Sequence, residues 1–256
     1  MILDFAFFNQ WTKHTLGIDL ESYKEKQMQR RIKNIMETHG AHSLVEYAQL
    51  LEKEPLLRQQ FLEHLTINVT EFYRNPELFE RFEQQLLLLA EQFPLLKIWS
   101  AACSTGAEPY TVAMILKKQK INSARIIATD VDQTILQRAK NGIYKNNELK
   151  NISPIEKAAC FDALSNDSFQ IKKDLKQNVH FKRQDLLKDP YEANVQVILC
   201  RNVTIYFKSQ ARDDVYQKFS DALVPGGILF TGATETINFC EKFNLTKIDS
   251  FIYQKK

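Results

Sequence analysis

Apolar residues recur at three- and four-residue spacing through the first 75 positions, and nothing there alternates as a half-buried strand would. The spacing predicts helices near 4–14, 20–39, 43–53 and 55–66, punctuated by Gly17, Gly40 and Pro55. Another helix runs from Pro76 to Phe93, and after it the pattern changes. Short apolar runs at 97–101, 124–130, 179–185, 195–201 and 227–232 predict strands, and helical spacing recurs near 108–119, 132–141 and 209–223. Leu245 to Gln254 predicts a terminal strand, antiparallel as a hairpin after 227–232. Such alternation builds a mostly parallel, doubly wound α/β sheet over residues 76–256, behind a helical domain and linker over residues 1–75. The polar interval from Gly142 to Val179 carries weak strand signals around Phe169–Leu175. It reads as a helical turn and a small hairpin on the sheet's rim, within about 145–178.

The segment from Ile98 to Thr111 (Ile-Trp-Ser-Ala-Ala-Cys-Ser-Thr-Gly-Ala-Glu-Pro-Tyr-Thr) is the most informative stretch. It reads as a strand, a turn of small residues with Gly106 at its tip, and a helix opened by Glu108 and Pro109. Such a turn sets backbone N–H groups and a carboxylate around a small polar ligand at a sheet's carboxyl edge. Its glycine spelling differs from the dinucleotide fingerprint, so a nucleotide-like cofactor of another kind is expected.

Asp130 ends the next strand, 24 residues after Gly106, where a carboxylate can accept from both ribose hydroxyls of an adenosine. The alternative is that Asp130 or Asp132 caps the following helix. Asp185-Leu186 and Cys200-Arg201-Asn202 close later strands at the same edge, and Tyr206 lies four residues past Asn202. The junction from Thr66 to Pro76 is dense in polar and aromatic groups, and its Asn68, Thr70 and Arg74 could face one cleft.

Composition narrows the partners. Hydrophobic residues at 44% and charged residues at 25% suit a soluble globular chain, and a net charge of +3 gives no argument for nucleic acid. Four scattered cysteines without metal-ligand spacing suit a reducing compartment, and no apolar run is long enough to span a bilayer; a cytoplasmic location is expected. Over 24–33, five basic residues stand against Glu25, a local charge of +4. Lys26, Arg30 and Lys33 share one helical face beside an apolar stripe of Met28, Ile32, Ile35 and Met36. A solvated face is the ordinary reading of such a patch.

Six motifs in order resemble the chemotaxis-receptor glutamate O-methyltransferases of the CheR type. They are Asn-Val-Thr-Glu-Phe-Tyr-Arg-Asn-Pro at 68–76, Trp-Ser-Ala-Ala-Cys-Ser-Thr-Gly-Ala-Glu-Pro-Tyr at 99–110 and Ala-Thr-Asp-Val-Asp at 128–132. Gly-Ile-Tyr at 142–144, Cys-Arg-Asn-Val-Thr-Ile-Tyr-Phe at 200–207 and Pro-Gly-Gly-Ile-Leu-Phe at 225–230 complete them. The chain departs from the usual pattern at Ala107, at Thr204 and at Gly-Ala-Thr-Glu, 232–235.

The resemblance implies a Rossmann-like class I methyltransferase fold and S-adenosylmethionine as cofactor, with no metal. It implies cofactor contacts from Asn68, Thr70, Arg74, Glu108, Asp130, Asp185, Leu186, Arg201 and Asn202, with Arg74 and Tyr206 beside the transferable methyl. It implies as partner the cytoplasmic helical region of methyl-accepting chemotaxis receptors, docked on Lys26, Arg30 and Lys33, with neither nucleic acid nor membrane insertion involved. Two rivals remain at this stage. One is a nucleic-acid methyltransferase using Cys200 as nucleophile; the other is a non-catalytic cofactor-sensing adaptor.

Overall fold

The helical spacing of the first third is realised as α1 (Phe5–Trp11), α2 (Glu25–Thr38), α3 (Leu44–Lys53) and α4 (Pro55–Thr66) in a computed structural model that describes residues 3–66 and 70–256. Two units divide the chain: Met1–Asn68 with Tyr206–Asp213, and Val69–Ile205 with Asp214–Lys256. In the first unit Asp4 accepts from the Phe7 N–H to start α1, and Ser43 accepts from the Glu46 N–H to start α3. The apolar faces meet in a ring cluster, where Phe61 of α4 lies edge-on to Phe8 of α1 and Tyr47 of α3, each 5.8 Å away.

The helix predicted over 20–39 begins only at Glu25. Leu20–Ser22 is a single 3₁₀ turn, and Tyr23 is extended, forming an antiparallel bridge with Phe207. Its ring rests on that of Phe207 at 5.2 Å, the Lys24 N–H donates to the Tyr206 carbonyl at 2.8 Å, and the Lys208 N–H donates to that of Ser22 at 2.8 Å. A residue committed to a bridge is unavailable to a helix, so tertiary pairing overrides the local spacing.

The second unit opens with α5 (Pro76–Gln92), β1 (Leu96–Ala101), α6 (Ala107–Lys118), β2 (Ala124–Asp130) and α7 (Gln133–Asn141). There follow β3 (Ile143–Lys145), α8 (Pro154–Cys160), β4 (Phe161–Ser165), β5 (Ser168–Ile171), α9 (Lys173–Gln177), β6 (Val179–Arg183) and β7 (Val195–Cys200). The chain closes through α10 (Ser209–Ala222), β8 (Leu223–Thr231), β9 (Leu245–Asp249) and β10 (Ile252–Lys255).

Seven strands form one sheet in the order β6-β2-β1-β7-β8-β10-β9, parallel from β6 to β8 and antiparallel beyond. The chain leaves β1 toward β2 on one side and returns to β7 on the other. The β1/β7 boundary is therefore a topological switch point, where open α/β sheets leave a crevice at their carboxyl ends.

The single terminal strand expected at 245–254 is two strands, divided at Ser250 and Phe251, where Phe251 has φ +61°. The later strand, β10, lies between β8 and β9. The interval after Gly142 also exceeds the expected hairpin. β3, β5 and β4 form a separate three-stranded antiparallel sheet, joined by α8.

Because Phe61 is fully buried between two other rings, Phe61→Ala is expected to cost about 3–5 kcal/mol in urea denaturation. A loss below about 1 kcal/mol would show that the helices close over the missing ring.

Candidate functional site

Four segments meet at the carboxyl edge of the second unit's sheet: the approach to α5, the β1–α6 turn, the end of β2 and the loop after β7. The β1–α6 turn bends sharply because Ala102, Ser104 and Gly106 all have positive φ, at +63°, +49° and +87°. Gly106 has no substitute here. A Cβ would meet the Ala139 Cβ at 3.0 Å and the Tyr110 and Tyr144 side chains at 3.2 Å. The turn presents the Ser104 N–H, which donates to Asp130 Oδ2 at 2.8 Å, while the Asp132 N–H donates to Oδ1 at 3.0 Å.

Of the two acids, Asp132 is the one that caps the following helix, α7, accepting from the N–H groups of Thr134 and Ile135. Asp130, 5% exposed, instead faces the turn. Burial pushes its carboxyl up to about 6, against the pull of the surrounding N–H groups.

Glu108 stands at the other end of the turn. Its Oε1 accepts from the Ser100 hydroxyl at 2.8 Å, and its Oε2 lies 3.9 Å from the Arg201 guanidinium. Burial pushes this carboxyl up, while Arg201 and then Ser100 draw it back, and the nearby Glu235 raises it further. Arg201 itself is buried between the rings of Phe79 and Phe230, at 4.8 and 4.7 Å. It donates to the Arg74 carbonyl at 2.7 Å and to Asn75 Oδ1 at 3.1 Å. That anchors the junction segment, in which Tyr73 and Asn75 have positive φ and the Asn151 amide donates to the Phe72 carbonyl at 3.0 Å.

Glu108, Asp130, Arg201, Asn202 and Arg74 therefore share one edge, and the Arg74 guanidinium is close enough to Glu108 to pull its carboxyl down. Thr70 is half-buried at the start of the same segment. Leu186 is buried after β6, its carbonyl accepting from the Tyr191 hydroxyl at 2.8 Å, and Asp185 Oδ1 accepts from the Leu187 N–H. Asn68 lies outside the described residues. Tyr206, with Lys26, Arg30 and Lys33, belongs to the first unit. These three basic residues are exposed along α2, Lys33 lying 3.7 Å from Glu37.

Cys200 is fully buried, and burial drives its thiol well above the usual range. It is not held as the thiolate that nucleophilic attack on a base requires. Ser100, Asn75, the Phe79–Phe230 ring pair and Glu235 are parts of the site that sequence reading passed over as functional.

Buried polar atoms without partners test what would fit. Among the described residues seven side-chain atoms are of this kind: Arg31 Nε and His64 Nε2 in the first unit, Gln184 Oε1 after β6, and Ser104 Oγ, Thr105 Oγ1, Arg201 Nε and Asn202 Oδ1 on the β1–α6 turn and the loop after β7. Unpaired hydroxyl and amide oxygens with two carboxylates suit a ligand bearing hydroxyls and a cationic group. Adenosyl sulfonium compounds, with ribose hydroxyls and an ammonium, have that chemistry.

Residues 3–66 match the CheR methyltransferase, all-alpha domain, and residues 68–252 match the CheR methyltransferase, SAM binding domain. The chain is 36% identical to the chemotaxis protein methyltransferase of Listeria monocytogenes, over 98% of this chain and 97% of the relative. It is 33% identical to chemotaxis protein methyltransferase 1 of Pseudomonas aeruginosa, over 92% and 90%. Identity to the corresponding protein of Borreliella burgdorferi is 32%, over 88% and 84%.

Asp130 holds its proton more tightly folded than unfolded, so its contribution to the stability of the ligand-free protein falls as pH rises from 3.8 to about 6. Across that window, stability of the parent chain relative to Asp130→Asn is expected to drop by about 3 kcal/mol. Urea denaturation between pH 4 and pH 7 reads this, and parallel curves for the two proteins would contradict it.

Proposed function

We propose that this chain, which belongs to the CheR methyltransferase family, transfers a methyl group from S-adenosylmethionine to the side-chain carboxylate of glutamates on chemotaxis receptors. The product is a glutamate methyl ester. The observation that supports this most is the pair of carboxylates at one strained turn, buried Asp130 accepting from its Ser104 N–H and half-buried Glu108 at its helical end, with unpaired Ser104 and Asn202 oxygens at the same edge. Asp130 is assigned to the ribose hydroxyls and Glu108 to the ammonium. Asn68, Thr70, Arg74, Asp185, Leu186, Arg201 and Asn202 complete the assigned set.

S-adenosylmethionine, when bound, supplies an electrophilic methyl group and a neutral thioether as leaving group. A glutamate acceptor is already ionised near neutral pH, so no residue has to remove its proton. What remains for the chain is to align a carboxylate oxygen and to exclude water, which together account for several kcal/mol of barrier. Arg74 and Tyr206 are assigned to holding the acceptor carboxylate or the methionine end of the cofactor. Their grip has to orient the carboxylate without neutralising it, because a tightly paired oxygen is a poorer nucleophile.

The names of the relatives support chemotaxis receptors as the substrate class. An acidic receptor helix would complement the exposed Lys26, Arg30 and Lys33 of α2.

Two measurements test this. Receptor methylated with tritiated cofactor is expected to release volatile methanol in alkali, as an ester does; label that survives alkali would mean an N- or C-methyl product. Reversing Lys26, Arg30 and Lys33 to Glu is expected to raise the apparent KM for receptor about tenfold or more with the cofactor KM unchanged. Equal rises in both would remove α2 as the docking face.

A further inference from the structure

Glu235 is a carboxylate the transfer chemistry does not use, yet it is only 3% exposed. Its Oε1 accepts from the N–H groups of Val203, Thr204 and Ile205 at 2.9, 2.7 and 3.3 Å and from the Thr204 hydroxyl at 2.8 Å. Its Oε2 accepts from the N–H groups of Asn202 and, at 2.9 Å, Gly232. Four consecutive backbone donors thus close on one side chain supplied 33 positions later by the turn after β8.

A carboxylate offers about four lone-pair sites. Six donors exhaust it, which leaves Glu235 no capacity for a ligand. A carboxylate this deep is tolerable only when so completely hydrogen-bonded, and it in turn satisfies the loop's curled N–H groups.

The held loop begins at Asn202, whose backbone is left-handed at φ +60° and whose Oδ1 is buried without a partner. Gly232 makes the approach possible. A Cβ there would meet Glu235 Oε2 at 2.5 Å and the Asn202 nitrogen at 2.8 Å.

We infer that Glu235 is a positioning residue for cofactor binding: it clamps the backbone of Asn202–Ile205 and thereby fixes the direction of the Asn202 amide. The inference rests on the assignment of Asn202 to the cofactor made above. Glu235→Gln swaps one acceptor oxygen for an NH₂ group that faces donors, so the clamp opens while the volume is kept.

The test is calorimetric titration of the full-length protein with S-adenosylhomocysteine, with circular dichroism confirming the fold. E235Q and N202A are each expected to raise Kd about tenfold, and the double variant no more than about twofold beyond E235Q, because both act through one amide. A merely structural role would lower the melting temperature and leave Kd alone, or give losses that multiply; either result overturns the inference.

Should E235Q fail to fold, E235A carries the same test: it removes both acceptor oxygens without adding atoms near Asn202 and is expected to raise Kd without further loss in an N202A background. An E235A protein that binds as the parent does overturns the inference as well. Absence of any binding by the parent chain would instead remove the cofactor assignment itself.

Discussion

The buried guanidinium of Arg201 sets the terms for the whole carboxyl edge. Its side chain is 2% exposed, and a charge so deep is tolerated only when paired and hydrogen-bonded. The pairing is shared: a carboxylate at 3.9 Å, a backbone carbonyl and an amide oxygen, and two aromatic faces. The partners come from four stretches of chain. Glu108 lies on α6, Arg74 and Asn75 on the approach to α5, Phe79 on α5 and Phe230 on β8. Satisfying one cation therefore fixes four pieces of chain around the β1/β7 boundary. Removal of a single partner of such a group typically costs about 3–5 kcal/mol, because the remaining charge is left stranded.

The second constraint is strain. Left-handed backbone at a non-glycine residue costs about 1–3 kcal/mol. Five of the ten such residues in the described chain, Tyr73, Asn75, Ala102, Ser104 and Asn202, lie on the loops that border the site. Strain of this kind persists where surrounding contacts over-determine it. Here the Ser104 N–H is held by Asp130, Asn75 by Arg201 and the Asn202 N–H by Glu235. Buried charge and bent backbone thus support one another: the bends bring donors to the acids, and the acids hold the bends.

Much of this was legible in the sequence, and the remainder fails for identifiable reasons. Period 3.6 in the first third and short apolar runs afterwards mark the helices and the parallel strands, since those patterns report burial directly. The helical spacing over 20–39 extends past the true start at Glu25 because nothing local reveals that Tyr23 pairs with Phe207. β8 begins at Leu223 and runs through Val224-Pro225-Gly226-Gly227, residue types that by themselves favour a turn. The terminal segment hides its division because Ser250 and Phe251 are unremarkable residues for a strand. At the site, the residue types at 108, 130 and 201 were readable from turn and strand-end chemistry. Their supports were not: Ser100, Asn75, Phe79 and Glu235 act through contacts between distant positions, and a single sequence carries no distances.

Asp130 and Glu235 show how the same physics can be put to opposite uses. Both are buried acids, one at the end of β2 and the other in the turn after β8, and both are held by backbone N–H groups. Asp130 accepts two hydrogen bonds, one on each oxygen, with the Val131 N–H near enough to add its pull. A carboxylate with about four acceptor sites therefore keeps capacity for donors from outside. Its raised proton affinity has the same origin, since burial is only partly offset by so few partners. Glu235 is saturated, and nothing further can bind to it. The difference lies in the donors each loop supplies. Two loops that each offer one N–H group, from Ser104 and from Asp132, leave an acid with acceptor sites unfilled. One that curls four consecutive N–H groups onto an acid turns it into a strut. At this edge Asp130 keeps acceptor sites unfilled, and the saturated Glu235 holds the backbone of the loop after β7.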